Sequence, residues 1–217
     1  MSDISVYGIP GSPFVRSVEI TLKEKGLEFC LHAMRPGDHK QPDYLARHPF
    51  GRVPAFEHGP FSIYETQAIL RYLDEVFPNP PLTPGSAKER ARMNQVIGVI
   101  ECYYFPKAAG PIGFNRIIGP RLLGIAGDEA AVAEAMPMAR LCFAEFDRLL
   151  DGKPYLTGES FSLADVMLGA QLDLICEAPE GRELIGETPD LLAWLRRMTS
   201  RPSFVATQPP AMLRAAA

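Results

Sequence analysis

A hydroxyl side chain stands at a predicted helix start near the beginning of the chain, where it could bind an anion. Ser12 is followed by Pro13, and this pair is typical of a helix with a hydroxyl at its N-cap and proline as its first residue. A hydroxyl there can donate a hydrogen bond to a charged partner, worth roughly 1.5–3 kcal/mol. The helix dipole adds roughly 0.3–1 kcal/mol. The alternative for Ser12 is a simple capping role, which needs no ligand.

A second predicted helix start carries an acidic residue and a hydroxyl. Glu65 and Thr66 come where a strand passes into a helix. The unpaired N–H groups and the positive dipole end of a helix N-terminus favour an anion, and the Thr66 hydroxyl can add a hydrogen bond. The alternative is that Glu65 only complements the dipole and Thr66 only caps the helix.

Basic residues and a proline lie between these two helix starts. His39 and Lys40 are adjacent in a polar loop, where they suit a carboxylate or are simply solvated loop charges. Arg52 could add a polar contact. Val53-Pro54 stands where a loop enters a strand, so the bond is a candidate for the cis form, with a plain strand-initiating proline as the alternative.

The elements that position these residues form a small α/β unit. A strand, a helix and a second strand give the β-α-β pattern expected of parallel strands with a crossover helix. A short helix, two strands joined as an antiparallel hairpin and a last helix follow. The predicted order is therefore β-α-β-α-β-β-α, over residues 3–9, 12–25, 27–34, 43–47, 53–57, 61–64 and 65–76.

A proline-rich stretch separates this unit from a second one of different character. The prolines predict a stiff linker, because proline suits neither helix interiors nor inner strands. Beyond it the sequence shows capped helix starts and no strand pattern, so the second domain is predicted to be all helical. The starts are at Ser86, Asp128, Ser162 and Thr188. The predicted domains are residues 1–78 and 87–217, with a linker over 79–86.

Composition limits the kind of protein. Hydrophobic residues make up 47% and charged residues 22%, as in an ordinary globular protein, and the net charge of -4 argues against nucleic acid or an anionic membrane as a partner. The four cysteines are scattered and form no metal-ligand or CxxC spacing. The first residues have no signal-peptide pattern. Isolated cysteines of this kind are mostly buried small hydrophobes, so a reducing, cytoplasmic compartment is predicted.

Two stretches resemble the cytosolic glutathione transferases, and among these the plant-type phi class and its bacterial relatives. They are Gly37 to Phe56, with His48-Pro49-Phe50-Gly51-Arg52-Val53-Pro54, and Tyr64 to Ile69. The resemblance implies a thioredoxin-like glutathione-binding domain and an all-helical domain that completes a hydrophobic acceptor site. It also implies a homodimer and glutathione as co-substrate, with no metal.

The resemblance also assigns roles to the candidate residues. His39 and Lys40 would hold the glycine carboxylate of glutathione, with Arg52 adding a contact. Val53, before a cis Pro54, would pair with the cysteinyl backbone. Thr66 would bind the γ-glutamyl carboxylate, and Glu65 the γ-glutamyl ammonium group.

Ser12 matches the catalytic serine of this family, so the resemblance makes it the residue that activates glutathione. A free thiol has a pKa of about 8.5, and depressing it by two units requires about 2.7 kcal/mol. A charged hydrogen bond and a helix dipole together can supply that amount. Tyr7 is a second candidate, because some classes of the family use an N-terminal tyrosine, although its position within a strand also fits simple packing.

The acceptor site is expected between the domains. Its candidate residues are aromatic and lie on the first helix and on the helix that starts at Ser86, although such clusters are more often core. They are Phe14, Tyr103, Tyr104, Phe105 and Phe114.

Three alternatives to transfer of an alkyl or aryl group to the glutathione sulfur stay open. The first is a glutathione-dependent isomerase, dehalogenase, peroxidase or ether-cleaving enzyme on the same fold. The second is a binding protein without catalysis. The third, a thiol–disulfide oxidoreductase, is disfavoured because Ser12 stands where that chemistry needs cysteine.

Overall fold

Two compact units make up residues 3–214, the part of the chain that the computed structural model describes. The first unit runs up to Leu82 and also includes Pro202–Pro209, and the second contains Thr83–Arg201 and the residues from Pro210 onward. The predicted linker, residues 79–86, contains the boundary at Leu82. Pro202–Pro209 lies in the predicted helical domain but belongs to the first unit.

A four-stranded sheet forms the centre of the first unit, and its order is β2-β1-β3-β4. β1 and β2 are parallel, whereas β3 is antiparallel to both β1 and β4. The predicted β-α-β unit and hairpin are therefore confirmed. The strands are β1 Ile4–Gly8, β2 Cys30–Ala33, β3 Ala55–His58 and β4 Phe61–Tyr64.

Three helices complete the first unit's α/β part: α1 Pro13–Glu24, α2 Pro42–Leu45 and α3 Thr66–Val76. α1 ends at a left-handed Gly26, where the Leu27 N–H bonds back to the Leu22 carbonyl, so β2 starts later than the sequence predicts. Apolar side chains of α1, α3 and the sheet form the buried core, which includes Val6, Val15, Val18, Leu22, Phe56, Ile69 and Leu73.

A buried ion pair ties α1 and α3 to the start of the linker. The Lys25 ammonium, whose side chain is fully buried, donates to Asp74 and to the Pro80 carbonyl. The Leu82 N–H donates to the same Asp74 oxygen. A charge buried in this way is stable only when paired, so the pair holds residues 80–82 within the first unit.

The segment Pro202–Pro209, here called the return segment, adds the short helix α10, Pro202–Ala206, to the first unit. Phe204 is completely buried, and its carbonyl accepts a hydrogen bond from the buried Arg16 of α1 (3.2 Å). A buried guanidinium needs such partners. This contact explains why the segment packs in the first unit.

One long helical run opens the second unit, from Ala87 to Leu123. It begins as α4, Ala87–Val99, with Ser86 accepting from the Glu89 N–H as the predicted cap. Wide π-helical turns over Ile100–Ala109 and Phe114–Leu123 flank α5, Gly110–Gly113. A Cβ on Gly110 would lie 2.7 Å from the Phe105 carbonyl oxygen, so glycine permits the first wide turn to close.

The remaining helices of the second unit are α6 Glu129–Leu150, α7 Leu163–Ile175, α8 Pro179–Gly186 and α9 Pro189–Thr199. The predicted cap of α7 is present. Asp165 is fully buried and accepts hydrogen bonds from Ser162, from the Leu156 N–H and from the Trp194 indole. An α/β domain followed by an all-helical one is the fold class that the sequence predicts.

Candidate active site

Four turns of the first unit meet at one end of its sheet. β1 ends there and β3 begins there, because Tyr7 is paired antiparallel with Ala55. β4 ends at the same place, since Ala55 also pairs with Tyr64. The Met34 N–H, just after β2, donates to the Gly8 carbonyl (2.9 Å). The turns brought together are residues 9–12, 34–41, 51–54 and 65–66.

Two helix N-termini lie at this end of the sheet. α1 begins directly after β1, and α3 begins directly after β4. Each presents backbone N–H groups without intrahelical partners and the positive end of its dipole. This end of the sheet is therefore suited to a ligand that carries more than one negative group.

Ser12 is the N-cap residue of α1, but its side chain makes no capping hydrogen bond. Its N–H donates to the Ile9 carbonyl (3.0 Å), and its own carbonyl accepts the Arg16 N–H (2.9 Å). The backbone of Ser12 is thus fixed while its half-buried hydroxyl remains available to a ligand.

Glu65 occupies an uncommon backbone conformation at the start of α3. Its φ of 72° is left-handed, a state that costs a non-glycine residue of order 1–3 kcal/mol and that clusters at ligand sites. Its exposed side chain makes no capping hydrogen bond. Thr66, the first residue of α3, is buried. The turn therefore presents a carboxylate, a hydroxyl and a helix N-terminus together.

His39 and Lys40 lie in one 3₁₀ turn that packs against Gly51. The Lys40 ammonium donates to the Gly51 carbonyl (2.8 Å). Gly51 has a φ of +55°, and a Cβ there would lie 3.0 Å from the His39 carbonyl oxygen. Burial, with the charges of Lys40 and Arg52, lowers the pKa of His39, so its ring is neutral at pH 7. The buried Nδ1 of His39 has no hydrogen-bond partner among the described residues.

Arg52 and Val53 extend this cluster toward β3. The Arg52 side chain is exposed, and its carbonyl accepts the Tyr44 hydroxyl (2.7 Å). The Val53–Pro54 peptide bond is cis. Half-buried Val53 and buried Pro54 come directly before the first residue of β3.

His48 is a residue of this region to which the sequence assigned no role. It is buried, with its ring stacked 4.6 Å from that of Tyr64, which directly precedes Glu65. Burial lowers the pKa of His48, which the nearby Glu65 carboxylate opposes. In the part of the chain that the structure describes, the Nδ1 atom of His48 also has no hydrogen-bond partner. The only signal in the sequence was its place within the quoted His48-Pro49 stretch.

The Tyr7 hydroxyl bonds to a residue outside this cluster. It donates to a Glu57 oxygen (2.8 Å), and the Arg47 guanidinium lies over the ring, 4.7 Å from its centroid. Burial, and after it the hydrogen bond to Glu57, raises the pKa of Tyr7. These contacts fit a packed strand tyrosine.

The acceptor-site candidates differ in burial. Phe14, in the first turn of α1, is half-buried. In the second unit Tyr103 and Phe114 are 50% and 44% exposed. Tyr104 is completely buried against Phe143 and Phe146, so it belongs to the core of that unit rather than to a surface. Phe105 is half-buried, and the acceptor site itself stays a prediction.

Within residues 3–214, no group of three or more metal-ligating side chains is placed to hold a metal ion. None of the helices in this part of the chain combines the length and the apolar character needed to cross a bilayer.

Comparisons with known proteins identify the family. Residues 6–81 match the family model of the glutathione S-transferase N-terminal domain, and residues 129–197 match that of the C-terminal domain. Glutathione S-transferase 3 of Zea mays is 32% identical over 95% of this chain and 94% of its own.

Solved structures agree with the sequence matches. A theta class glutathione S-transferase from Xanthomonas axonopodis pv. citri, with glutathione bound, gives a TM-score of 0.86 at 27% identity and covers 98% of this chain and 100% of its own. Maize glutathione S-transferase I, in complex with an atrazine glutathione conjugate, gives 0.81 at 27% identity, over 94% and 95%. With both domains matched and the Zea mays enzyme aligned along nearly its whole length, the chain belongs to the glutathione S-transferase family and is a glutathione transferase.

Proposed function

We propose that Ser12 stabilises the thiolate of bound glutathione, which then attacks an electrophilic carbon of a hydrophobic substrate. The observation that carries this proposal is the uncapped hydroxyl of Ser12 at the N-terminus of α1. A new carbon–sulfur bond forms while the leaving group departs from that carbon, and the thiol proton has already passed to solvent.

The rest of glutathione is proposed to lie across the cluster at the sheet end. Lys40 and Arg52 are cations at one side of it, and His39 can donate a hydrogen bond, so these three suit the glycine carboxylate. Val53 would pair with the cysteinyl backbone. Thr66 and the α3 N-terminus suit the γ-glutamyl carboxylate, and the exposed Glu65 carboxylate suits the ammonium group.

The proposal is tested by titrating the thiol of bound glutathione through its thiolate ultraviolet absorbance. In the wild type we expect a pKa about two units below that of free glutathione, from one charged hydrogen bond and a helix dipole. In Ser12→Ala the thiol pKa should move most of the way back to that of free glutathione. In Ser12→Thr, which keeps the hydroxyl, most of the lowering should remain.

Two controls isolate the thiol. Ser62→Ala, which alters an exposed serine of β4, should leave the pKa unchanged. Binding of S-methylglutathione should change less than about twofold in Ser12→Ala, because its thioether sulfur is only a weak hydrogen-bond acceptor. Tight binding with an unshifted pKa in the wild type would favour a binding protein, and absence of binding would overturn the proposal.

The acceptor is proposed to be a hydrophobic electrophile, by analogy with the atrazine conjugate held by the maize relative. Three substrates distinguish the alternative glutathione-dependent reactions by the products that they give. They are an activated aryl chloride, an organic hydroperoxide and an aryl ether. A thioether product supports transfer, whereas glutathione disulfide from the hydroperoxide would support a peroxidase.

A homodimer and a cytoplasmic location also stay proposals. For the homodimer, sedimentation equilibrium should give twice the chain mass of 23.9 kDa.

A further inference from the structure

The return segment, Pro202–Pro209, contacts α1 near both of its ends. Near the start, the Arg16 guanidinium donates to the Phe204 carbonyl (3.2 Å) and lies 5.4 Å from the centroid of the Phe204 ring. Near the end, the Ser203 hydroxyl donates to the Glu24 carboxylate. Arg16 lies one helical turn beyond Ser12, because positions four residues apart lie above one another, and Glu24 lies about two turns further along α1.

The contact at Arg16 is adjacent to the proposed catalytic residue. The Arg16 N–H donates to the Ser12 carbonyl (2.9 Å), which is the hydrogen bond that opens α1. Arg16 is 1% exposed and Phe204 is not exposed at all. A side chain held by burial, by a hydrogen bond and by an aromatic face has little freedom, so the backbone to which it is attached is also fixed.

We propose that the return segment is a clasp for α1, with Arg16 as the positioning residue through which it sets the place of the Ser12 hydroxyl. This inference rests on the proposed function of Ser12. Arg16 does not touch the thiolate. It acts through the first turn of α1, where a displacement of about 1 Å is enough to weaken a hydrogen bond to a reacting atom.

Three variants loosen the clasp in different ways. Arg16→Met removes the guanidinium but keeps an apolar stem, Arg16→Lys keeps a charge without the planar group, and Phe204→Leu keeps an apolar side chain without the ring. Each should raise the pKa of the bound glutathione thiol by about 0.5–1 unit and lower kcat by about three- to tenfold. Affinity for S-methylglutathione should stay within about twofold, because the clasp does not contact that ligand.

Lys23→Met is the matched control. Lys23 lies on the same helix, eleven residues beyond Ser12, with its ammonium 5.2 Å from the centroid of the Phe29 ring. The substitution removes the same charge from α1, and the thiol pKa should not change. Thermal unfolding of each variant shows that it is folded at the assay temperature. If Arg16→Met does not fold, the thiol pKa is compared instead in Phe204→Leu and in the milder Ser203→Ala.

A double variant separates positioning from a direct effect of charge. If Arg16 acts through Ser12, then Ser12→Ala with Arg16→Met has the same thiol pKa as Ser12→Ala alone. Additive shifts, or a wild-type pKa in Arg16→Lys, would show that the charge of Arg16 acts by itself and would overturn the clasp. An unshifted pKa in folded Arg16→Met and Phe204→Leu would overturn it too. An unshifted pKa in Ser12→Ala would instead overturn the proposed function.

Discussion

At the scale of single residues, the site is built from polar groups that the protein leaves without partners. The Ser12 hydroxyl makes no capping bond, and the buried Nδ1 atoms of His39 and His48 have no hydrogen-bond partner within residues 3–214. An unsatisfied buried polar atom costs about 1–3 kcal/mol. These three groups lie near the end of the sheet where two helix N-termini meet, which suits a polar ligand.

The engaged hydroxyl of Tyr7 gives a residue-scale prediction. Tyr7→Phe should leave the pKa of the bound thiol within about 0.3 unit of wild type, because the hydroxyl already donates to Glu57. The same ultraviolet titration measures this. A rise comparable to that expected for Ser12→Ala would identify Tyr7 as the activating residue instead.

The lowered pKa of His39 predicts a pH dependence of binding. A carboxylate bound beside His39 raises its pKa, so binding takes up a proton. The affinity for S-methylglutathione should therefore increase as the pH falls from 8, and it should level off below the lowered pKa of the free protein. Each unit by which the ligand raises the pKa corresponds to a tenfold gain in affinity.

Calorimetry in buffers with different heats of ionisation measures that proton uptake. His39→Asn should abolish it, whereas His32→Asn, which removes an exposed histidine of β2, should not. Equal uptake in wild type and His39→Asn would place the glycine carboxylate elsewhere.

At the scale of elements, the long helical run of the second unit contains two contrasting glycines. Within residues 3–214, and apart from the backbone of its own helical turn, no atom lies within 4 Å of a Cβ added to Gly98 in α4. The Cβ of residue 110 would lie 2.7 Å from a carbonyl oxygen. Gly98→Ala should stabilise the protein by about 0.5–1 kcal/mol through helix propensity. Gly110→Ala should destabilise it by about 1–3 kcal/mol, because backbone must shift.

Urea denaturation followed by circular dichroism compares the two variants. The two substitutions add the same methyl group to the same helical run, so propensity alone would move both midpoints in the same direction. A stabilised Gly110→Ala would mean that the wide turn readily closes into an ordinary α-helix.

Elements were predictable from the sequence where their signals are local. A cap lies within three residues of its partner, as Ser86 does with Glu89, so helix starts with such a signal could be located. α8, which follows Ala178 and has no side-chain cap, was not predicted. The packing of the return segment against α1 could not be predicted, because Arg16 and Phe204 are 188 positions apart. No local pattern records a pairing over that distance.

The site residues were likewise predictable where their signals lie within a short stretch of sequence. Motifs in the loops identified the turns that meet at the sheet end, because each motif lies within one turn. The stacking of His48 on Tyr64 depends on the folded sheet and was missed. Tyr103, Tyr104 and Phe105 were grouped together, although consecutive residues of a helical turn point in different directions. Tyr104 accordingly faces the core.

At the scale of the whole molecule, the first unit is discontinuous in sequence, since it needs residues 202–209. A fragment of residues 1–82 should therefore be less stable than the same fragment fused to 202–209 through a flexible linker. The loss of buried Phe204 alone corresponds to about 3–5 kcal/mol. Guanidinium denaturation of both fragments measures the difference, and equal midpoints would contradict it.

The return segment also has a consequence for biosynthesis. The ribosome makes residues 1–82 first, but Pro209 follows Leu82 by 209 − 82 = 127 residues, or about 6–25 s at 5–20 residues per second. During that interval the nascent first unit exposes the face of α1 that Phe204 later covers. Ribosome-bound chains stalled before residue 202 should be cut more readily by protease in residues 1–82 than chains released at full length. The unit that leaves the ribosome first is thus expected to be completed only after nearly all of the second unit has been made.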